Sequence, residues 1–179
     1  CNKTKFLNID KLTYAGKVEN SRIIKNLKNY SFLNIDICNY RKLREVIKKF
    51  DPKIVVHFAA ESHVDNSIKS PGEFIKSNII GTYNILRSIN KKIFLIHIST
   101  DEVYGHVVNN KSFSETTKYN PRSPYSASKA SADHLVSAWN STYGYKSTIV
   151  NCCNNFGPNQ DKEKFIPVII NNILNNKKI

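Results

Sequence analysis

The chain has 179 residues, room for one domain and part of a second. Its 27 Lys and Arg against 14 Asp and Glu leave a net charge of +13, and 40 % of it is hydrophobic, a balance that excludes a disordered chain. No apolar run approaches the ~18 residues of a membrane span, and no signal peptide opens the chain.

Short β-rich runs alternate with longer amphipathic stretches. Phe6 to Ile9 and Tyr30 to Ile35 read as strands. Asn39 to Phe50 carries Leu43, Val46, Ile47 and Phe50 at helical spacing, and Asp51-Pro52 stops it. Lys53 to Phe58 is a continuous apolar run, the pattern of a strand buried on both faces. Pro71 to Asn90 reads as one helix with Pro71 in its first turn. Ile93 to Ser99 is another buried strand. Ser126 to Tyr143 is a helix whose inner face is read as Ala127, Ala130, His134, Leu135 and Ala138. Thr148 to Asn151 is a short strand, and Phe165 to Asn176 a last helix. Strand and helix in alternation predict an α/β fold, a doubly wound parallel sheet with helices on both faces.

The charge admits a nucleic-acid surface or a solvated one. The lysines are dispersed, with Lys-Lys pairs at 48–49, 91–92 and 177–178. The solvated reading is preferred. Cys1, Cys38, Cys152 and Cys153 form no CxxC pair and no zinc-ligand cluster. They read as reduced, mostly buried thiols, and no metal site is expected.

Doubly wound sheets bind ligands beyond the carboxyl ends of their strands. Asp10 follows the first strand, where an acidic residue suits a ribose. Asp36-Ile37 follows the second, and reads equally as an adenine contact or a helix cap. Ala59-Ala60 follows the third, small enough for close approach of a flat ligand. Glu61, Ser62, His63 and Asp65 come next. Ser99-Thr100-Asp101-Glu102 ends the fourth. Adjacent carboxylates diverge, so one can serve as acid and the other as base if their environments differ. Tyr125 and Lys129 stand at i and i+4 on one helix face, where a cation favours the phenolate.

These segments resemble the extended short-chain dehydrogenases/reductases, and within them the dTDP-glucose 4,6-dehydratase family. The likeness rests on Asp10 to Gly16, Ala59 to Asp65, Ser99 to Gly105, Ser123 to Ala130 and Asn151 to Pro158. It implies a Rossmann-like fold, bound NAD, a nucleotide-sugar substrate and a cytoplasmic homodimer acting in rhamnose biosynthesis. It implies no nucleic-acid or membrane partner. Epimerising relatives lack the Asp-Glu pair, which marks dehydration. By this resemblance the catalytic residues are Thr100, Asp101, Glu102, Tyr125 and Lys129. Thr100 orients the C4 oxygen, Tyr125 takes the C4 hydroxyl proton, Glu102 takes the C5 proton and Asp101 protonates the leaving C6 hydroxyl. NAD contacts are Asp10, Lys11, Leu12, Thr13, Asp36, Ile37, Phe58, Ala59, Ala60, Ser77, Tyr125, Lys129 and Asn155. Substrate contacts are Ser62, Thr100, Asn154, Lys164 and Phe165. A UDP-glucose 4,6-dehydratase or another sugar-nucleotide dehydratase is the alternative within the fold, and a basic nucleic-acid module the alternative outside it.

The chain contains no Met, even at position 1. Set against the fold, residues 1–156 read as an NAD-binding domain lacking its first strand and Gly-rich loop, and residues 157–179 as the start of a substrate-binding region. A chain truncated at both ends is expected neither to bind NAD well nor to turn over by itself.

Overall fold

The computed structural model describes residues 4–21, 24–107 and 112–178. Cys1 lies outside the described residues. Among the described residues five strands carry the fold: β1 (Phe6–Asp10), β2 (Tyr30–Asn34), β3 (Ile54–His57), β4 (Phe94–Thr100) and β5 (Lys146–Cys152). All their pairings are parallel. β1 pairs with β2 from Phe6↔Tyr30 to Asp10↔Asn34. β4 sits between β3 and β5, with His57↔His97 and Thr100↔Cys152 in register. Two parallel ribbons therefore face each other, β1 beside β2 and β3–β4–β5, with a cleft between.

Helices cover the strands. α1 (Tyr40–Phe50) starts where the Asn39 side chain accepts the Lys42 amide at 3.2 Å, and stops at Asp51 in the left-handed region (φ 47). Its Leu43 and Ile47 join Ile85, Leu86, Leu95 and Val136 in the main core. The expected single helix over 71–90 is interrupted. α3 (Pro71–Phe74) runs into a π-helical turn at Ile75–Ile80 before α4 (Gly81–Ser88). A short helix, α2 (Val64–Lys69), precedes them, in a stretch to which the sequence reading assigned no element.

α5 (Pro124–Tyr143) is the longest element. It starts on a capping box between Ser123 and Ser126, with Pro124 in its first turn. Its buried face matches the predicted one only at Ala130, which is buried, and Leu135, which packs on the core. Ala127, His134 and Ala138 are exposed, while Tyr125, Ser128, Lys129, Ala132, Asp133 and Val136 are buried. The predicted face followed small and apolar residues, whereas this helix turns its polar side chains inward. α6 (Phe165–Leu174) buries none of its residues fully.

β3 differs too. Ile54 is 57 % and Val56 46 % exposed, because β3 is the edge strand of its sheet and lines the open cleft. The thiols are less buried than expected: Cys38 and Cys152 are half-buried and Cys153 is exposed, all free. Among the described residues no helix is long and apolar enough to cross a membrane. None of them forms a group of three or more His, Cys, Asp or Glu able to hold a metal ion.

Candidate active site

The cleft between the two ribbons holds about 830 Å³. Its floor is apolar, from Leu7, Ile9, Val55 and Ile85 among others, and its mouth is polar. Of the predicted cofactor residues, Asp10, Lys11, Thr13, Asp36, Ile37, Phe58, Ala59, Ala60 and Ser77 all line it. Leu12, Asn155, Tyr125 and Lys129 do not.

The rim is built by local hydrogen bonds. One Asp10 carboxylate oxygen accepts the Leu12 amide at 2.7 Å, which folds Leu12 into the left-handed region (φ 56). A Cβ on Gly16 would lie 2.9 Å from the Leu12 Cα, so this hook closes only over glycine. Asp36 accepts the Cys38 amide at 2.8 Å and meets the Lys11 ammonium at 2.9 Å. Burial works to raise its pKa, but that amide and Lys11 prevail and hold it below the ordinary value. The cap of α1 is Asn39, so capping does not occupy Asp36. Asn78, 1 % exposed in the π-helical turn, supports the Ala59–Glu61 strand end. It accepts the Glu61 amide at 2.9 Å, donates to the Glu61 carbonyl at 3.0 Å and donates to Ser128 at 2.8 Å.

The second cluster lies at the end of β4. Thr100, 8 % exposed, passes the chain into a 3-10 turn over Asp101–Tyr104. Its hydroxyl oxygen accepts the Glu102 amide and its proton goes to Asp101, both at 3.3 Å. The fully buried Val103 anchors this turn, and the Asn120 amide donates to its carbonyl at 2.9 Å. Gly105 (φ 86) closes it, since a Cβ there would strike the Asn120 carbonyl oxygen. Burial, then Asp101, raises the Glu102 pKa, with Lys164 opposing. Two adjacent carboxyls thus meet different surroundings, as an acid–base division requires.

Tyr125 and Lys129 complete the cluster from α5. Burial raises the Tyr125 phenol to about 12, with Thr100 opposing and Glu102 and Asp101 adding to it. The expected lowering by Lys129 is not seen. The Lys129 ammonium is directed to the Ile98 carbonyl at 2.7 Å, and burial lowers its pKa to about 8.

The predicted substrate residues are less gathered. Lys164 acts on Glu102, but Ser62, Asn154 and Phe165 are exposed, Phe165 by 74 %. Segment 161–165 is nonetheless tied back to the site. Tyr14 donates to Glu163 at 3.0 Å, His63 lies 3.8 Å from Glu163, and Lys17 lies 3.7 Å from Asp161. Sequence reasoning missed Asn78, although an Asn within an apolar helical run was its visible signal. It also missed Cys153, an exposed thiol whose pKa Asp101 raises.

Comparison with known proteins agrees with this geometry. The GDP-mannose 4,6 dehydratase family model matches residues 2–179. A dTDP-glucose 4,6-dehydratase of Neisseria gonorrhoeae is 48 % identical over 97 % of this chain and 54 % of its own length. A probable dTDP-glucose 4,6-dehydratase of Sinorhizobium fredii is 45 % identical over 97 % of this chain and 53 % of its own. The dTDP-glucose 4,6-dehydratase of Bacillus anthracis, solved in complex with NAD, superposes with a TM-score of 0.88 at 41 % identity, covering 98 % of this chain and 55 % of that one. The Rossmann-like reading of the parallel sheet holds, and the chain spans about half the length of the curated relatives it matches. From the five strand-end motifs to the full-length match, the chain belongs to the GDP-mannose 4,6 dehydratase family, and the relatives named here are its dTDP-glucose 4,6-dehydratases.

Proposed function

We propose that the chain carries the cofactor cleft and the acid–base cluster of a dTDP-glucose 4,6-dehydratase that keeps NAD bound through its cycle. The observation that carries this is the Thr100-Asp101-Glu102 turn at the end of β4, set against Tyr125 of α5. The cleft fits a dinucleotide. Asp10 offers an exposed acceptor to ribose hydroxyls, Asp36 and Ile37 flank an apolar wall, and Ala59-Ala60 leave room beside a strand end. When bound, NAD supplies a hydride acceptor toward sugar C4 and a hydride donor toward C6.

The protein's own groups move the protons. Thr100 orients the C4 oxygen, and Tyr125 takes the C4 hydroxyl proton. With C4 as a ketone the C5 proton is acidic, and Glu102 removes it. Burial and the Asp101 charge raise the Glu102 pKa, which strengthens it as a base once it is ionised. Asp101 gives its proton to the departing C6 oxygen, and water leaves. Lys129 holds the ribose beside Tyr125. Ser62, Asn154, Lys164 and Phe165 contact the sugar nucleotide, and Leu12 and Asn155 complete the cofactor contacts. Residues 1–156 act as the NAD-binding domain and 157–179 open the substrate-binding region. The working protein is a cytoplasmic homodimer that binds neither nucleic acid nor membrane, and its product suits rhamnose biosynthesis.

The test is an assay of the full-length gene product with dTDP-glucose and with UDP-glucose, following the alkali-absorbing 4-keto product. Turnover of dTDP-glucose supports the reading. Turnover of UDP-glucose alone reassigns the base. Salt-sensitive nucleic-acid binding without either turnover overturns it.

A further inference from the structure

Helix α5 carries one more ionisable group on the face of the catalytic pair. Tyr125, Lys129 and Asp133 are spaced by four residues, so they stack along one side of the helix. Asp133 is 1 % exposed, and a buried carboxylate is costly unless its oxygens are satisfied. One oxygen accepts the Ser99 hydroxyl at 2.7 Å and the Tyr119 hydroxyl at 3.0 Å. The other lies 3.2 Å from Nε2 of His97, off the line of a good hydrogen bond.

Few groups near it can carry positive charge. His97 on β4 is fully buried, and His57 on β3 lies beside it with ring centroids 5.0 Å apart. Burial lowers both imidazoles, so they stay neutral at physiological pH. Burial, reinforced by Asp133, raises the phenols of Tyr104 and Tyr119, Tyr119 to about 12. The cation left is Lys129. Burial lowers its pKa, and the charge that opposes burial is Asp133.

We propose that Asp133 is a positioning residue of the Tyr125–Lys129 pair, a buried negative charge that keeps the proton on Lys129 when the pair gives one up. The inference rests on the proton-handling role proposed above for that pair. Loss of one proton leaves either phenolate with ammonium or phenol with amine, and only the first lets Tyr125 take a hydroxyl proton. Asp133 stands one helical turn from Lys129 and two from Tyr125; it is the charge that acts on Lys129 and the weakest of those that act on Tyr125. It therefore attracts the ammonium more than it repels the phenolate, although it does both.

The experiment is Asp133→Asn in the full-length gene product, with Lys129 titrated by NMR of its ε-carbon and with turnover measured. Lys129 titrates at least about one pH unit lower than in the parent. The kcat falls at least about tenfold, while KM for the sugar nucleotide moves less than about threefold. Tyr119→Phe, which removes one donor and keeps the charge, leaves the Lys129 titration in place. If Asp133→Asn does not fold, Asp133→Ser, uncharged and roomy enough for a water, makes the same measurement. An unchanged Lys129 in the uncharged variants, or an equal drop in Tyr119→Phe, overturns the proposal. A shifted Lys129 in a protein inactive on every sugar nucleotide supports the coupling and removes the dehydratase reading instead.

Discussion

Glu102 shows how one side chain's surroundings set its task. Burial and the neighbouring Asp101 make its charged form less favourable, so its pKa lies above the ordinary carboxylate value. As the proposed base, Glu102 must be ionised to act, so turnover is expected to fall as the pH drops through that raised pKa. The acid limb of the rate profile is therefore expected above the range of a free carboxylate. The same shift has a stability consequence of fixed sign. The stability tied to protonated Glu102 is complete below its unfolded pKa and is lost as the pH rises through the raised folded value. Glu102→Gln removes that loss, so it is expected to melt slightly higher at neutral pH while turnover falls by about 10²–10⁴. Loss of solvent exchange at C5 locates the defect at proton removal. A variant that turned over at the parental rate would move the base elsewhere. The adjacent carboxyls were legible in the sequence because such a pair is expensive at a buried strand end. The state of Tyr125 was not. Its spacing to Lys129 suggested a lowered phenol, but burial and the facing carboxyls raise it, and the opposing group is Thr100, not that cation.

At the scale of elements, parallel strands and long helices followed from hydrophobic period, and their order was readable. The interruption at Ile75–Ile80 was not. A π-turn needs only one extra residue, which blurs a helical period without erasing it. Its role is visible only in three dimensions, where it aims Asn78 at the turn after β3. Asn78→Ala would leave the Glu61 amide, the Glu61 carbonyl and the Ser128 hydroxyl without that partner. Buried groups left unpaired cost about 1–3 kcal/mol each. Allowing for relaxation, the variant is expected to lose about 2–4 kcal/mol in chemical denaturation, with weakened NAD binding because Ala59 and Ala60 lose their support. Unchanged stability and affinity would show that the π-turn is not what holds this strand end. The inner face of α5 was legible only at Ala130 and Leu135, for a related reason. Period alone assigns polar residues outward, and here Ser128, Lys129 and Asp133 turn inward to meet Asn78, the Ile98 carbonyl and Ser99.

The whole molecule is strongly basic in composition, yet its interior holds neutral bases. His57 is 3 % exposed and His97 fully buried, side by side on β3 and β4. His57 meets the Thr82 hydroxyl oxygen at 2.9 Å; since Thr82 donates its own proton to the Asn78 carbonyl at 2.6 Å, Nε2 of His57 is the donor. Burial lowers the pKa of both rings below 6.5, their ordinary value. Above that pH both folded and unfolded chains carry neutral imidazoles, and stability owes nothing to their titration. Below it the unfolded chain takes up protons that the folded chain refuses, so stability falls with falling pH. Each ring contributes up to about 1.4 kcal/mol per pH unit, or about 3 kcal/mol for both. Melting of the full-length gene product should therefore be nearly level from pH 8 to about 7 and drop steeply between about 6.5 and 5, before most carboxylates begin to protonate. His57→Gln should flatten that fall by roughly half, whatever it does to the melting point at pH 7.5. A parental melting temperature that stayed level down to pH 5 would mean that the folded protein admits these protons, and that the paired imidazoles are not the neutral core that β3 and β4 present.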